Sequence, residues 1–306
     1  MRLTGKSKFA IILGILPAFA LYVVFAIYPI LQSFYYSLMD WNGFNEMTYV
    51  GFNNFKKLFA DPLFWNSVKN NIYVVLASVL GQVPIALFFA LLLNRKMKGA
   101  KLFRTIGFLP VVLSTVVISL TWSLIYNSRN GLINEVLRSI GLDALAQNWL
   151  GDTKWTMGAV LVVVIWQFVG LYLIIFLAAL QNVPNEIMEA AKIDGASEWK
   201  RTWKITIPMI WDTILVAIIL CISGSLKTFD LIYVMTNGGP AHSTDVMALY
   251  MFNETFTKLQ YGYGSAVSVF IFFFSLILIV IVNKVLGKEN DLGGGHNGEE
   301  KQRSSE

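Results

Sequence analysis

Six stretches of the 306-residue chain stay apolar for the roughly 20 residues a membrane-spanning helix needs: 9–31, 71–93, 105–126, 156–180, 209–235 and 264–283. Five of the six contain no Asp, Glu, Lys or Arg. The period-2 alternation of a membrane barrel is absent, so the pattern predicts an all-α membrane protein with six transmembrane helices. Between the spans the pattern changes. The segment 51–65 places Phe55, Leu58 and Phe59 on one helical face, and GLINEVLRSIGL within 127–155 is a second amphipathic candidate. Trp41, Trp65, Trp149 and Trp155 stand near expected span ends, where indole rings favour the interface.

Composition agrees with the pattern. The chain is 56% hydrophobic and 14% charged, against about 25% charged in a soluble domain. Arg2, Lys6 and Lys8 before an apolar run, with Ala18-Phe19-Ala20 resembling a cleavage site, give the first span the look of a signal peptide. The run continues to Leu31, past the length of a signal core, so an uncleaved first span is expected. One cysteine, Cys221, excludes a disulfide within the chain, and two histidines, His242 and His296, exclude a histidine-based metal cluster. The polar, Gly-rich 287–306 reads as a disordered tail. No internal repeat stands out.

Charge sets orientation. One set of termini and connections carries 16 Lys and Arg, in 1–8, 95–104, 192–204 and from Lys284 on; the opposite set carries 8. Positive residues stay in the cytoplasm, which places both termini and the connection around 189–208 inside.

That connection reads EAAKIDGASEWKRTWKITIP. Asn185 is a candidate cap for a first helix, with Glu186 and Glu189 near its positive end. Gly195 breaks it. Ser197 is placed to cap a second helix, whose Lys200, Arg201 and Lys204 fall towards its C-terminus, and Pro208 to open the next span. A bare connection needs only a few residues, whereas this one spends about two dozen on ordered helix. Small residues (Ala190, Ala191, Gly195, Ala196) beside Glu189 and Asp194 permit close approach by a partner.

Glu189, Ala190, Ala191, Gly195, Ile205, Ile207 and Pro208 fit the pattern EAA, three residues, G, nine residues, I-x-I-P, with Ile207 where leucine is usual. The pattern resembles the signature loop of permease subunits of binding-protein-dependent ABC importers. LAALQNVP (177–184), FDLIYVMTNGGP (229–240), YPILQSFYYSL (28–38) and YVGFNNF (49–55) resemble the maltose-type, carbohydrate-uptake branch. The resemblance covers nearly the whole chain and implies the type I importer permease fold over 9–286, in a bacterial or archaeal plasma membrane. It implies a coupling loop at 183–208, with Glu189, Ala190, Ala191, Asp194 and Gly195 at the docking face for an ATPase. It further implies a second, similar permease, a dimeric ATPase and an external solute-binding protein as partners. The chain has no G-x-x-x-x-G-K-[ST] phosphate loop, so ATP and Mg are expected on the ATPase and no cofactor on this chain.

A sugar path needs hydroxyls, amides and aromatic faces. Polar residues within the spans include Gln82, Thr115, Ser119, Gln167, Ser223, Ser225 and Thr228. Ser and Thr in such helices commonly bond their own backbone or a neighbouring helix. Gln167 is sharper, because a mid-membrane amide needs a partner, and Trp166 or Trp122 offers a stacking face. Lys227 and Asp230 are at i, i+3 and able to pair, either at the outer interface or at a cavity mouth. By the same resemblance, the sugar-facing positions are Thr115, Gln167, Phe168, Ser225 and Thr228. An ion-coupled carrier usually needs intramembrane carboxylates, and here Asp230 is a weak candidate. A membrane enzyme needs convergent acid, base or metal groups, which the pattern lacks.

Overall fold

The computed structural model describes residues 5–95 and 98–287; the expected tail beyond Gly287, and the first four residues of the expected N-terminal segment, lie outside the described residues. Among the described residues, four helices are long and apolar enough to cross a membrane: Gly14–Ser37, Pro62–Leu93, Thr156–Gln181 and Tyr261–Leu286. Two bent helix pairs bring the count to the expected six when each is taken as one span. Ala100–Val112 meets Thr115–Ile125 at 99°, and Glu198–Met209 meets Trp211–Leu226 at 67°. The third and fifth spans are therefore not the single rods their hydropathy predicts. The all-α expectation gains one exception, a two-residue antiparallel pairing of Met39–Asp40 with Thr48–Tyr49.

Prolines account for much of the irregularity inside the spans. Three of the four π-helical turns among the described residues, Val23–Ile27, Ser78–Gln82 and Thr202–Thr206, end two residues before a proline (Pro29, Pro84 and Pro208); the fourth, Asn253–Thr257, has none after it. A proline ring clashes with the carbonyl four residues back and offers no N–H to it. That carbonyl belongs to Phe25, Leu80 or Lys204, inside the widened turn in each case. The helix continues by taking up one extra residue locally. Pro208 thus does not open the fifth span; the helix runs through it and turns at Ile210.

The chain divides into two compact units. The first contains residues up to Phe64 and Tyr250–Phe272. The first amphipathic expectation resolves into helix there: Asn53–Ala60 buries Leu58, and Phe64 is enclosed with its ring edge-on to Phe270. Asp61 organises this unit. Its Oδ1 accepts the Leu63 N–H at 2.8 Å, and its Oδ2 accepts the hydroxyls of Tyr250 at 2.6 Å and Tyr263 at 3.3 Å. Burial pushes the carboxyl pKa up, but these hydrogen bonds outweigh it and hold the group below the usual carboxylate range.

The second unit contains Trp65–Leu249 and the residues from Phe273 on. It has two apolar cores. One gathers Ala86, Ala90, Phe176, Leu180, Ile214 and Ala217; the other Val74, Val160, Val163, Ile232, Val246 and Leu249; Phe168 packs against both. The third span packs closely on the fourth because both present glycine: a Cβ on Gly170 would lie 2.0 Å from the Gly107 carbonyl oxygen. Leu132–Ser139 is the second amphipathic helix, anchored by Asn134, whose amide donates to the Gln147 carbonyl and accepts from the Trp149 indole.

Candidate functional site: a cavity at three helix irregularities

Inside the second unit lies a cavity of about 290 Å³. Three backbone irregularities meet there. Ser78 and Gln82 bracket the π-helical turn of the second span; Thr115 is the first residue after the extended Leu113 and Ser114 that break the third; Lys227, Thr228 and Phe229 form the break between Trp211–Leu226 and Asp230–Met235. Broken helices in a membrane leave backbone groups outside the helical ladder, and they are tolerated where protein or a water-filled cavity satisfies them. No side chain caps the helix starting at Thr115 or the one starting at Asp230.

Four of the five sequence-predicted positions line this cavity: Thr115, Phe168, Ser225 and Thr228. The fifth, Gln167, is joined to it, donating Nε2–H to Thr115 Oγ1 at 2.9 Å. Its side chain is 1% exposed, and its Oε1 is buried with no partner among the described residues. Thr228 donates back across the break to the Gly224 carbonyl of Trp211–Leu226, 3.3 Å away. Ser225 offers its backbone carbonyl to Asn71 Nδ2 at 3.2 Å, and Asn71 Oδ1 takes the Met247 N–H at 2.8 Å. Asn71 is fully buried and so pins one wall of the cavity to the segment that follows Asp245.

Other expectations change. Trp122 and Trp166 face one another edge-on at 5.4 Å and do not line the cavity; its aromatic surfaces are Phe168, Tyr172 and Phe229. Phe168 is expected from the family resemblance; Tyr172 and Phe229 are not, because their exposure depends on breaks that hydropathy does not reveal. Gln82 lines the cavity but is internally satisfied, donating to the Val164 carbonyl at 3.1 Å and accepting the Cys221 thiol at 3.3 Å. Lys227 and Asp230 both line the cavity, and no ion pair joins them. Each instead suits a helix end. Lys227 caps the C-terminus of Trp211–Leu226, and Asp230 opens Asp230–Met235. Opposite charges at the negative and positive ends of two dipoles are each stabilised without touching.

The 183–208 connection is helix, glycine, helix. Asn185–Ile193 ends in a Schellman motif: Gly195 N–H bonds the Lys192 carbonyl at 3.1 Å and Ala196 N–H the Ala191 carbonyl at 2.9 Å. Gly195 has φ +75°, which a side chain rarely adopts. Ser197 caps Glu198–Arg201, its Oγ accepting the Lys200 N–H at 3.3 Å. Asn185 does not cap: the N-cap is Pro184, without a side-chain bond, because Asn185 is already helical. Glu189, Ala190, Asp194 and Gly195 are exposed, whereas Ala191 is buried against the protein. Ile193 is 87% and Trp199 73% exposed, so apolar side chains flank the glycine on its open face. Glu198 also meets Arg95 at 2.8 Å, tying the connection to the one between the second and third spans.

Comparison with known proteins places this architecture. Residues 82–288 match the family described as binding-protein-dependent transport system inner membrane component. The chain is 39% identical to a probable ABC transporter permease of Pyrococcus horikoshii, over 83% of this chain and 87% of that one. It is 34% identical to the diacetylchitobiose uptake system permease protein of Streptomyces coelicolor, over 93% and 83% of the two chains. It is 35% identical to the trehalose/maltose transport system permease protein of Thermococcus litoralis, over 79% and 81%. Among solved structures, a chain of a bacterial alginate ABC transporter in complex with a pentasaccharide-bound periplasmic protein superposes with a TM-score of 0.81 at 25% identity, covering 91% of this chain and 94% of that one. The chain belongs to the family of inner membrane components of binding-protein-dependent transport systems, and it is the multi-pass permease of an ABC transporter, a transport subunit and not an ATPase.

Proposed function

We propose that this permease forms half of the pathway by which a neutral sugar or oligosaccharide, delivered by an external binding protein, crosses a bacterial or archaeal plasma membrane. The carrying observation is the cavity of about 290 Å³, near the lower end of small-ligand sites, where hydroxyls and aromatic faces converge at breaks in the spans. The names of the relatives from Streptomyces and Thermococcus, which specify sugars, support the substrate class. Thr115, Gln167, Phe168, Ser225 and Thr228 are the residues of this chain that meet the sugar. A second, similar permease supplies the opposing wall.

Energy comes from a separate dimeric ATPase that binds ATP and Mg. It docks on the 183–208 connection, with Glu189, Ala190, Asp194 and Gly195 at the joint, the buried Ala191 packed beneath them and the exposed Ile193 and Trp199 beside them. ATP-driven closure of the ATPase moves this connection. The movement shifts the spans between inward-facing and outward-facing states, a bias on an alternating-access equilibrium. The experiment is sugar uptake by the reconstituted complex with its binding protein. Uptake must need the ATPase and must fall in a complex carrying Ser225→Ala with Thr228→Val. Wild-type apparent affinity, rate and sugar preference in that double variant would remove these positions from the path.

A further inference from the structure

A second cavity, of about 210 Å³, lies between the second, third and fourth spans and is lined by Ala86, Phe89, Leu93, Phe103, Ile106 and Leu173, with Gly107 and Gly170 at its floor. Its lining is almost wholly apolar, which disfavours both water and sugar. It opens outward: Phe89, Phe103 and Ile106 are each roughly half exposed. One end is charged. Arg104 sits one residue from Phe103 and donates Nη2–H to the carbonyl of Leu93, itself a lining residue, at 2.9 Å. The Nε–H of the same guanidinium is buried without an acceptor, so the protein leaves part of its donor capacity unused. The stretch 95–104 carries five cations and no acid. Lys101 is exposed, and the carboxylate partner of Arg95, Glu198, comes from a different connection.

We propose that this groove holds an acyl chain of an anionic phospholipid, with the phosphate at Arg104 and Lys101. Apolarity alone would equally suit a helix of the paired permease. The charge decides between them, since an apolar helix gives a basic rim nothing to bind, whereas a lipid phosphate supplies acceptor oxygens beside an acyl chain of the right character. The groove is narrow because Gly107 and Gly170 bring the third and fourth spans together, so a chain lodged there touches both spans below the break that shapes the first cavity. The site is independent of which sugar is carried.

The test is native mass spectrometry of the purified permease complex exchanged into equal amounts of phosphatidylglycerol and phosphatidylcholine. Wild type is expected to retain phosphatidylglycerol several-fold over phosphatidylcholine. Arg104→Gln should abolish the preference while leaving bound lipid, and Ile106→Trp, at an exposed position, should fill the groove and lower retention of both lipids. Equal retention of the two lipids by wild type overturns the proposal. So does retention that neither variant alters, or disulfide trapping of an Ile106→Cys variant to a cysteine on the paired permease, which would show protein in the groove.

Discussion

The Gln167 amide donates to Thr115 Oγ1 at 2.9 Å, and this bond joins the straight fourth span to the first residue beyond the break in the third. Its second amide atom, Oε1, is buried and unused, although a buried polar group without a partner is destabilising by about 1–3 kcal/mol. Under the proposed sugar path, the substrate supplies that partner. Gln167→Leu and Thr115→Val should therefore each weaken apparent sugar affinity by roughly 2- to 10-fold, the value of one neutral hydrogen bond. The double variant should be little worse than the poorer single one, because the residues act as a pair. Concentration-dependent uptake in reconstituted complexes measures this, and additive losses would mean that the two residues contribute separately.

Gly195 makes a sharper prediction. A Cβ there meets nothing within 4 Å, so space is not the constraint; the φ of +75° is. Gly195→Ala should strain the Schellman turn by about 1 kcal/mol and leave the protein inserted. Gly195→Pro cannot adopt the angle at all and should re-aim Glu198–Arg201. Co-purification of the ATPase and sugar-stimulated ATP hydrolysis should fall modestly in the first variant and nearly vanish in the second. Full coupling in Gly195→Pro at normal expression would exclude this turn from the docking joint.

Much of this architecture is legible in the chain. Six apolar runs announce the spans, and Gly195 and Ser197 announce their turn and cap by residue type, because those roles are local. What hydropathy cannot carry is where a span breaks. Leu113 and Ser114 look no different from their neighbours, yet their extended backbone turns the chain by 99° and exposes Thr115. Lys227 and Asp230 invite pairing by spacing, but spacing presumes one continuous helix, and the helix ends between them. Trp166 looked like a sugar platform from its neighbour Gln167; adjacent residues on a helix face different ways, and Trp166 turns to Trp122 instead.

Asp61 makes stability depend on pH in a predictable direction. Its folded pKa lies below the unfolded value of about 3.9, so its contribution is fully present above that value and is lost as pH falls through the folded pKa. Asp61→Asn should lower the melting temperature of the detergent-solubilised complex at pH 7. The gap between variant and wild type should stay constant from pH 7 to about 5 and narrow below about 4. A gap that persists unchanged into stronger acid would show that the carboxylate charge is not what Tyr250, Tyr263 and the Leu63 N–H stabilise.

Orientation rests on charge and is open to direct measurement. The connections that include 95–104 and 192–204 hold nine Lys and Arg between them, and the Arg95–Glu198 pair shows that these two connections lie on the same side. Lys192 is exposed on the coupling segment and takes part in the Schellman motif only through its backbone carbonyl, which a Lys192→Cys substitution keeps. Cys221 is the single native thiol, buried beside Gln82, and Cys221→Ala removes it at the loss of one hydrogen bond to the Gln82 amide. In that background, an impermeant maleimide added to intact cells should leave Lys192→Cys unlabelled and should label it after the membrane is opened. A cysteine at Lys154, exposed in the connection between the third and fourth spans, should react in intact cells. The reverse pattern would invert the protein in the membrane and turn the 183–208 connection away from any cytoplasmic ATPase.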